Sequence, residues 1–192
     1  MKPIARFFLL LIPLMLAGCF YEKPLTKTPS EAINTWFLGE WQHKEKDGAV
    51  SRAVVTPAGH DIYRIQVTLA GKGGGVYDFE AWASRVGNST FLTLQSLHQT
   101  SKLPDKAFVF IHPQMIDQNR IRIRGLDLEA APNSQSIDLR KEVRTRMAEG
   151  TLYSEAKTQD WVRVAEVYCD RDGKAGLFTP LRYEIPTHSS NH

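Results

Sequence analysis

A chain of 192 residues, 42% apolar and 23% charged, is long enough to fill one hydrophobic core and short for two. Its 24 Lys and Arg stand against 21 Asp and Glu, and without Lys2 and Arg6 of the N-terminal stretch the 24 become 22, close to neutrality. Nucleic acid, which is held by a dense basic footprint, is therefore not an expected partner.

The first element reads as a leader. Lys2 and Arg6 precede a mainly apolar run, Phe7 to Ala17, interrupted by Pro13 and ended by small residues. Crossing a hydrocarbon core takes about 20 apolar residues, and the chain turns polar from Glu22, so the run predicts a cleaved signal over residues 1–18 rather than a span. Leu16, Ala17, Gly18 and Cys19, at the end of this stretch, resemble the lipobox of bacterial lipoproteins. That resemblance implies cleavage between Gly18 and Cys19, with a diacylglyceryl thioether on Cys19 and often an amide-linked acyl chain. Several acyl chains anchor durably where one does so marginally, at about 0.8 kcal/mol per buried CH₂. Phe20 stands where lipoproteins retained in the inner membrane typically carry Asp, which implies the outer membrane, facing the periplasm, if the envelope is Gram-negative. With Cys19 acylated, Cys169 is the only thiol left, no intrachain disulfide is expected, and Cys169 is expected as a packed strand residue.

Residues 19–27 read as the lipidated end and its tether, about 25 to 30 Å long at full extension. The folded domain is expected over 28–186, with a disordered tail over 187–192. Thr28, Pro29, Ser30 and Glu31 have the pattern of a capping box with Pro at the first helical position, predicting a short helix to Phe37 or Leu38 ended by Gly39 in a left-handed conformation.

From Glu40 the period changes to two. Glu40–Glu45 and Ala49–Thr56 flank Asp47-Gly48, a hairpin signal. Tyr63, Ile65, Val67 and Leu69 alternate with Arg64, Gln66 and Thr68, one face dry and one wet. Val76–Val86, Thr90–Leu97, Lys106–His112 and Arg120–Leu126 complete seven strand-like segments at hairpin spacing. A helix follows, capped by Ser136, with a stripe of Leu139, Val143 and Met147, a Glu142–Arg146 pair, and Gly150 as its end; its apolar face should lie on the outside of the sheet. Trp161–Cys169 and Leu177–Ile185 resume as strands, Pro180 placing the last at an edge or bulge. A sheet of eight or nine such strands either closes or splits into a sandwich, and closure is the simpler way to remove its edges. The expected fold is thus mainly β, an antiparallel up-and-down barrel with a short N-terminal helix and a longer helix late in the chain.

Gly39, Glu40 and Trp41, preceded by that short helix, resemble the G-x-W signature that opens the first strand of lipocalins and other calycins. The resemblance implies that Trp41 plugs one end of the barrel and that an Arg near the chain end packs over it; by position this is Arg182.

Chemistry-bearing patterns are sparse. Gly71 to Gly75 lead into a strand, not a helix N-terminus, and read as a hairpin rather than a phosphate loop. Asp170, Arg171, Asp172 and Gly173 imitate part of a calcium loop, but Thr179 falls where a carboxylate is needed. Asn88-Ser89-Thr90 has the form of a glycosylation sequon only. His43, His60, His98 and His112 lack metal-ligand spacing, no G-x-S-x-G elbow is present, and Arg120, Arg122 and Arg124 read as the wet face of a strand. Neither metal, cofactor nor catalytic residue is expected. Two functions follow. One is binding of a small apolar molecule or lipid in a barrel lined by Tyr63, Ile65, Val67, Phe79, Phe108, Phe110 and His112, for which an open pocket of about 300 Å³ or more is the favourable sign. The other is a structural or assembly lipoprotein with a solid interior, docking another envelope protein through the barrel surface.

Overall fold

A computed structural model describes residues 21–71, 74–97, 107–126, 128, 138–169 and 175–177. Seven strands form in the expected order, β1 (Gly39–Lys44), β2 (Val50–Pro57), β3 (Tyr63–Leu69), β4 (Gly75–Val86), β5 (Ser89–Ser96), β6 (Phe108–Asp117) and β7 (Arg120–Leu126), all within one residue of the expected bounds except β6, which starts two residues late and runs five past His112. The turn between β1 and β2 is made as its Asp-Gly pair predicts, with Gly48 at φ 89° and the Asp47 carboxylate accepting from the Ala49 amide. The eighth strand, β8 (Tyr153–Ala165), starts eight residues before the expected Trp161, pairs with β7, and returns to β1 with Trp41 opposite Arg163. Every pairing is antiparallel and in chain order, so the sheet closes as an eight-stranded, lipocalin-like up-and-down barrel. Closure leaves no unpaired edge, and eight strands enclose an interior only wide enough for side chains or one small ligand.

The remaining strands, β9 (Val167–Cys169) and β10 (Ala175–Leu177), form a separate two-stranded sheet. Cys169 is thus a strand residue, while the expected strand over 177–185 lies outside the described residues beyond Leu177. The late helix α1 (Leu139–Glu149) is capped by Asp138, whose carboxylate accepts from the amides of Arg140 and Lys141; Ser136, the expected cap, is outside the described residues. Gly150 ends it at φ 72°, and Arg146 pairs with Glu142 at 2.6 Å, as the sequence predicts. No helix among the described residues is long and apolar enough to cross a membrane.

Two expectations near the N-terminus are corrected. The capping box makes no helix; only a 3₁₀ turn forms, Thr35–Phe37. Its polar groups are taken by the barrel instead, the Ser30 hydroxyl bonding to the Ala83 carbonyl and the Arg85 amide, and Glu31 to Thr90 and Arg85. Nor are residues 21–26 a free tether. Tyr21 exchanges two backbone hydrogen bonds of 3.0 Å with Phe108, Leu25 is 3% exposed, and the Thr26 carbonyl accepts from the Trp82 indole at 3.1 Å.

Apolar side chains separate into two layers. Inside the barrel Trp41, Val55, Ile65, Phe79, Leu94 and Ile121 pack together. Outside it, Tyr21, Trp82, Phe91, Phe108, Phe110 and Val143 make a second core beneath the N-terminal segment and α1, so α1 covers the outer face of the sheet as its stripe predicts.

Candidate functional site: the barrel interior

One end of the barrel is stopped by an aromatic plug. The Trp41 indole donates to the Phe37 carbonyl at 3.0 Å, and the Phe37 ring lies 6.4 Å from it. Over the Trp41 ring stands a guanidinium 4.7 Å from the centroid, and it belongs to Arg163, which also donates to the Trp36 carbonyl. Arg182, the expected partner, lies outside the described residues. Because alternation along β8 turns Trp161 and Arg163 the same way, the W-x-R spacing is the signal that singles Arg163 out. Gly39 lets this seam close: a Cβ there would sit 2.8 Å from the Ala165 carbonyl oxygen, and its φ of 144° suits glycine alone. Tyr63 belongs to the same plug, its hydroxyl accepting from the Asn34 amide at 2.5 Å. Burial, the largest influence, raises its pKa, with Glu31 nearby acting the same way.

Beyond the plug lies a cavity of about 170 Å³. Of the residues expected to line a ligand, Ile65, Val67, Phe79 and Phe110 are in its wall, with Leu69, Tyr77 and Leu94 among others. Tyr63 instead faces a second space of about 130 Å³ between the plug and residues 31–36. Exposure changes along the wall: Trp41, Val55 and Ile65 are buried, whereas Val67, Leu69, Lys157 and Gln159 are half-buried, so the cavity opens at the end away from Trp41. Trp161 is also in the wall, and its buried indole N–H has no hydrogen-bond acceptor among the described residues.

Phe108 and His112 are corrections. Along β6 the inward residues are Val109 and Ile111, and Phe108, Phe110 and His112 pack in the outer layer; only Phe110 also reaches the cavity wall. Alanine to isoleucine at 107–111 is an unbroken apolar run, so periodicity cannot assign its phase. His112 Nδ1 lies 2.5 Å from the Tyr153 hydroxyl, with the Phe91 ring at 4.9 Å. Burial, then the Arg124 charge, lowers the His112 pKa, while burial pushes Tyr153 up to about 12. Both shifts favour a neutral imidazole accepting from a neutral phenol, a packed polar pair rather than an acid–base couple at a cleft.

Other candidates are accounted for by local partners. Arg122 holds Asp160 through two bonds, 2.7 and 2.9 Å, Arg120 meets Asp117 at 2.6 Å, and Arg124 lies over the Tyr153 ring. His43 Nδ1 donates to the Asp160 carbonyl at 2.8 Å, and His60 sits beside Asp61 on the surface. The Gly71–Gly75 stretch joins β3 to β4, with Gly71 at φ 86°. His98, Gly18, Cys19 and Asp170–Gly173 lie outside the described residues. Among the described residues no three His, Cys, Asp or Glu side chains converge as a metal site.

Tyr21, Lys157 and Gln159 are wall residues that had no sequence signal: Tyr21 reaches the cavity because its backbone pairs with Phe108 of β6, and Lys157 and Gln159 because β8 begins early. Comparison of the chain with protein-family models, curated proteins and solved structures gives no match in any of the three.

Proposed function

We propose that this chain is a non-catalytic, lipid-anchored protein of the cell envelope, a calycin-like barrel that binds a small apolar ligand. The observation that carries the reading is the cavity, walled almost wholly by apolar side chains, stopped at one end by Trp41 and open at the other. At about 170 Å³ it falls short of the roughly 300 Å³ typical of drug-sized ligands, yet matches engineered apolar cavities of about 150 Å³ that hold benzene. The ligand this size admits is an aromatic ring or the end of one alkyl chain. The shortfall from 300 Å³ favours the second reading, an assembly lipoprotein that docks a protein partner. The leader pattern ending in Cys19 supports the anchor in both.

Fractionation and a thermal melt test the two parts. Cys19→Ser should leave the protein off the membrane, and unchanged membrane association would refute the anchor. The same Cys19→Ser protein should melt at a higher temperature in saturating toluene, because a ligand that binds only the folded state stabilises it. Val67→Phe, which fills the cavity, should remove that shift. No shift in the parent protein would leave the assembly reading.

A further inference from the structure

We propose that the occupant of the cavity is an acyl chain of this protein's own anchor, folded back from Cys19 into the barrel. The inference rests on the lipid-anchored reading above and names the ligand of its cavity. Its starting point is Tyr21, which is at once the first described residue and part of the cavity wall. Tyr21 is held firmly: two backbone bonds to Phe108, its ring stacked on Phe110 at 4.5 Å, and its hydroxyl donating to the Leu128 carbonyl at 3.2 Å.

Register places this residue on the rim. β7 pairs with β6 from Ile111 downstream, and β5 takes the other side of Phe108, so Tyr21 occupies the length of β6 that β7 leaves open. Cys19 is two residues away, and a chain extends at most about 3.6 Å per residue, so its Cα lies within about 7 Å of the Tyr21 Cα in any conformation. The diacylglyceryl group on that sulfur is therefore tethered two residues from the cavity wall, with its ester-linked chains within reach of the mouth. The open end carries the polar Lys157 and Gln159 and the deeper wall is apolar, an order that suits an alkyl end inside and an ester linkage outside. About 170 Å³ accommodates roughly as many carbons as benzene has, the terminal segment of one chain. Lipid tails and this cavity are both apolar, so transfer between them is decided by reach, and a covalently attached chain has the advantage of a high effective concentration. One chain is housed in the barrel while the others stay in the leaflet.

The test is a photo-cross-link within the intact, acylated protein. Cells making the full chain are fed a fatty acid with a terminal diazirine; the mature protein is purified into phosphatidylethanolamine–phosphatidylglycerol vesicles, irradiated, digested and mapped. The expected result is cross-links to inward residues of β3, β4 and β7, such as Val67, Phe79 and Ile123, and their loss in Val67→Trp. Leu69→Trp, nearer the mouth, replaces that variant if it fails to fold. An acylated Cys19 with cross-links only to vesicle lipid or to outward residues such as Arg64 overturns the inference and leaves the anchor standing; so do inward cross-links that persist in the filled variant. An intact mass without acyl chains overturns the inference together with the anchored reading.

Discussion

The Trp41 ring is held from three directions, by the Phe37 carbonyl, the Phe37 ring and the Arg163 guanidinium, and it is 1% exposed. Removing a buried aromatic of this size loses both its transfer energy and the space it filled. Trp41→Ala should therefore cost about 3 to 5 kcal/mol in urea unfolding, and Arg163→Lys, whose ammonium cannot lie flat on the ring, about 1 kcal/mol. A Trp41→Ala protein as stable as the parent would contradict the plug. The His112–Tyr153 pair makes a different kind of prediction. Burial and Arg124 lower the folded-state pKa of His112, so as pH falls below about 6.5 the unfolded chain takes up the proton first. Stability is complete above that pH and declines below it until the folded form also titrates. Measured at pH 5 and pH 8, the urea midpoint should fall in the parent and fall less in His112→Gln; equal losses would show that other groups carry the acid dependence.

At the level of elements, what the sequence made legible is what local chemistry decides. β3 and β7 match their predicted bounds, Tyr63–Leu69 and Arg120–Leu126, because each alternates cleanly and ends at a turn. β6 shows the limit. Its apolar run fits either phase, and the outer layer beneath Tyr21 and α1, which decides it, is made by segments far away in the chain. The capping box failed for the same reason: β4 and β5 offered Ser30 and Glu31 better-placed partners than a local helix N-terminus did. The cavity was legible as a row, Ile65 and Val67 with Phe79, but its rim was not, since Tyr21 and Lys157 reach it through pairings. Two glycines separate local from tertiary demands. Gly150 needs only its left-handed φ, with nothing within 4 Å of a Cβ, whereas Gly39 combines an unfavourable φ with the Ala165 carbonyl at 2.8 Å. Gly150→Ala should cost about 1 kcal/mol and Gly39→Ala more, about 2 to 3 kcal/mol; the reverse order in urea denaturation would contradict the tight β1–β8 seam.

For the molecule as a whole, the observed closure and the proposed anchor point the same way. Pairing of β8 with β1 removes the sheet's edges and leaves an interior stopped by Trp41 at one end, while the docked segment Tyr21–Thr26 brings the chain's N-terminal side to the rim at the other. A barrel held to a leaflet by Cys19 would present its open end near lipid, and a slim apolar ligand is what about 170 Å³ admits. Native mass spectrometry of the mature protein, released from its own membrane and with Val67→Trp as the filled control, tests this most directly. The account predicts a mature mass beginning at acylated Cys19 and an occupied cavity, seen as a bound apolar molecule or as an anchor chain protected from lipase, in the parent and not in the control. A mature protein without acyl chains, or one whose cavity is empty in parent and control alike, would contradict it.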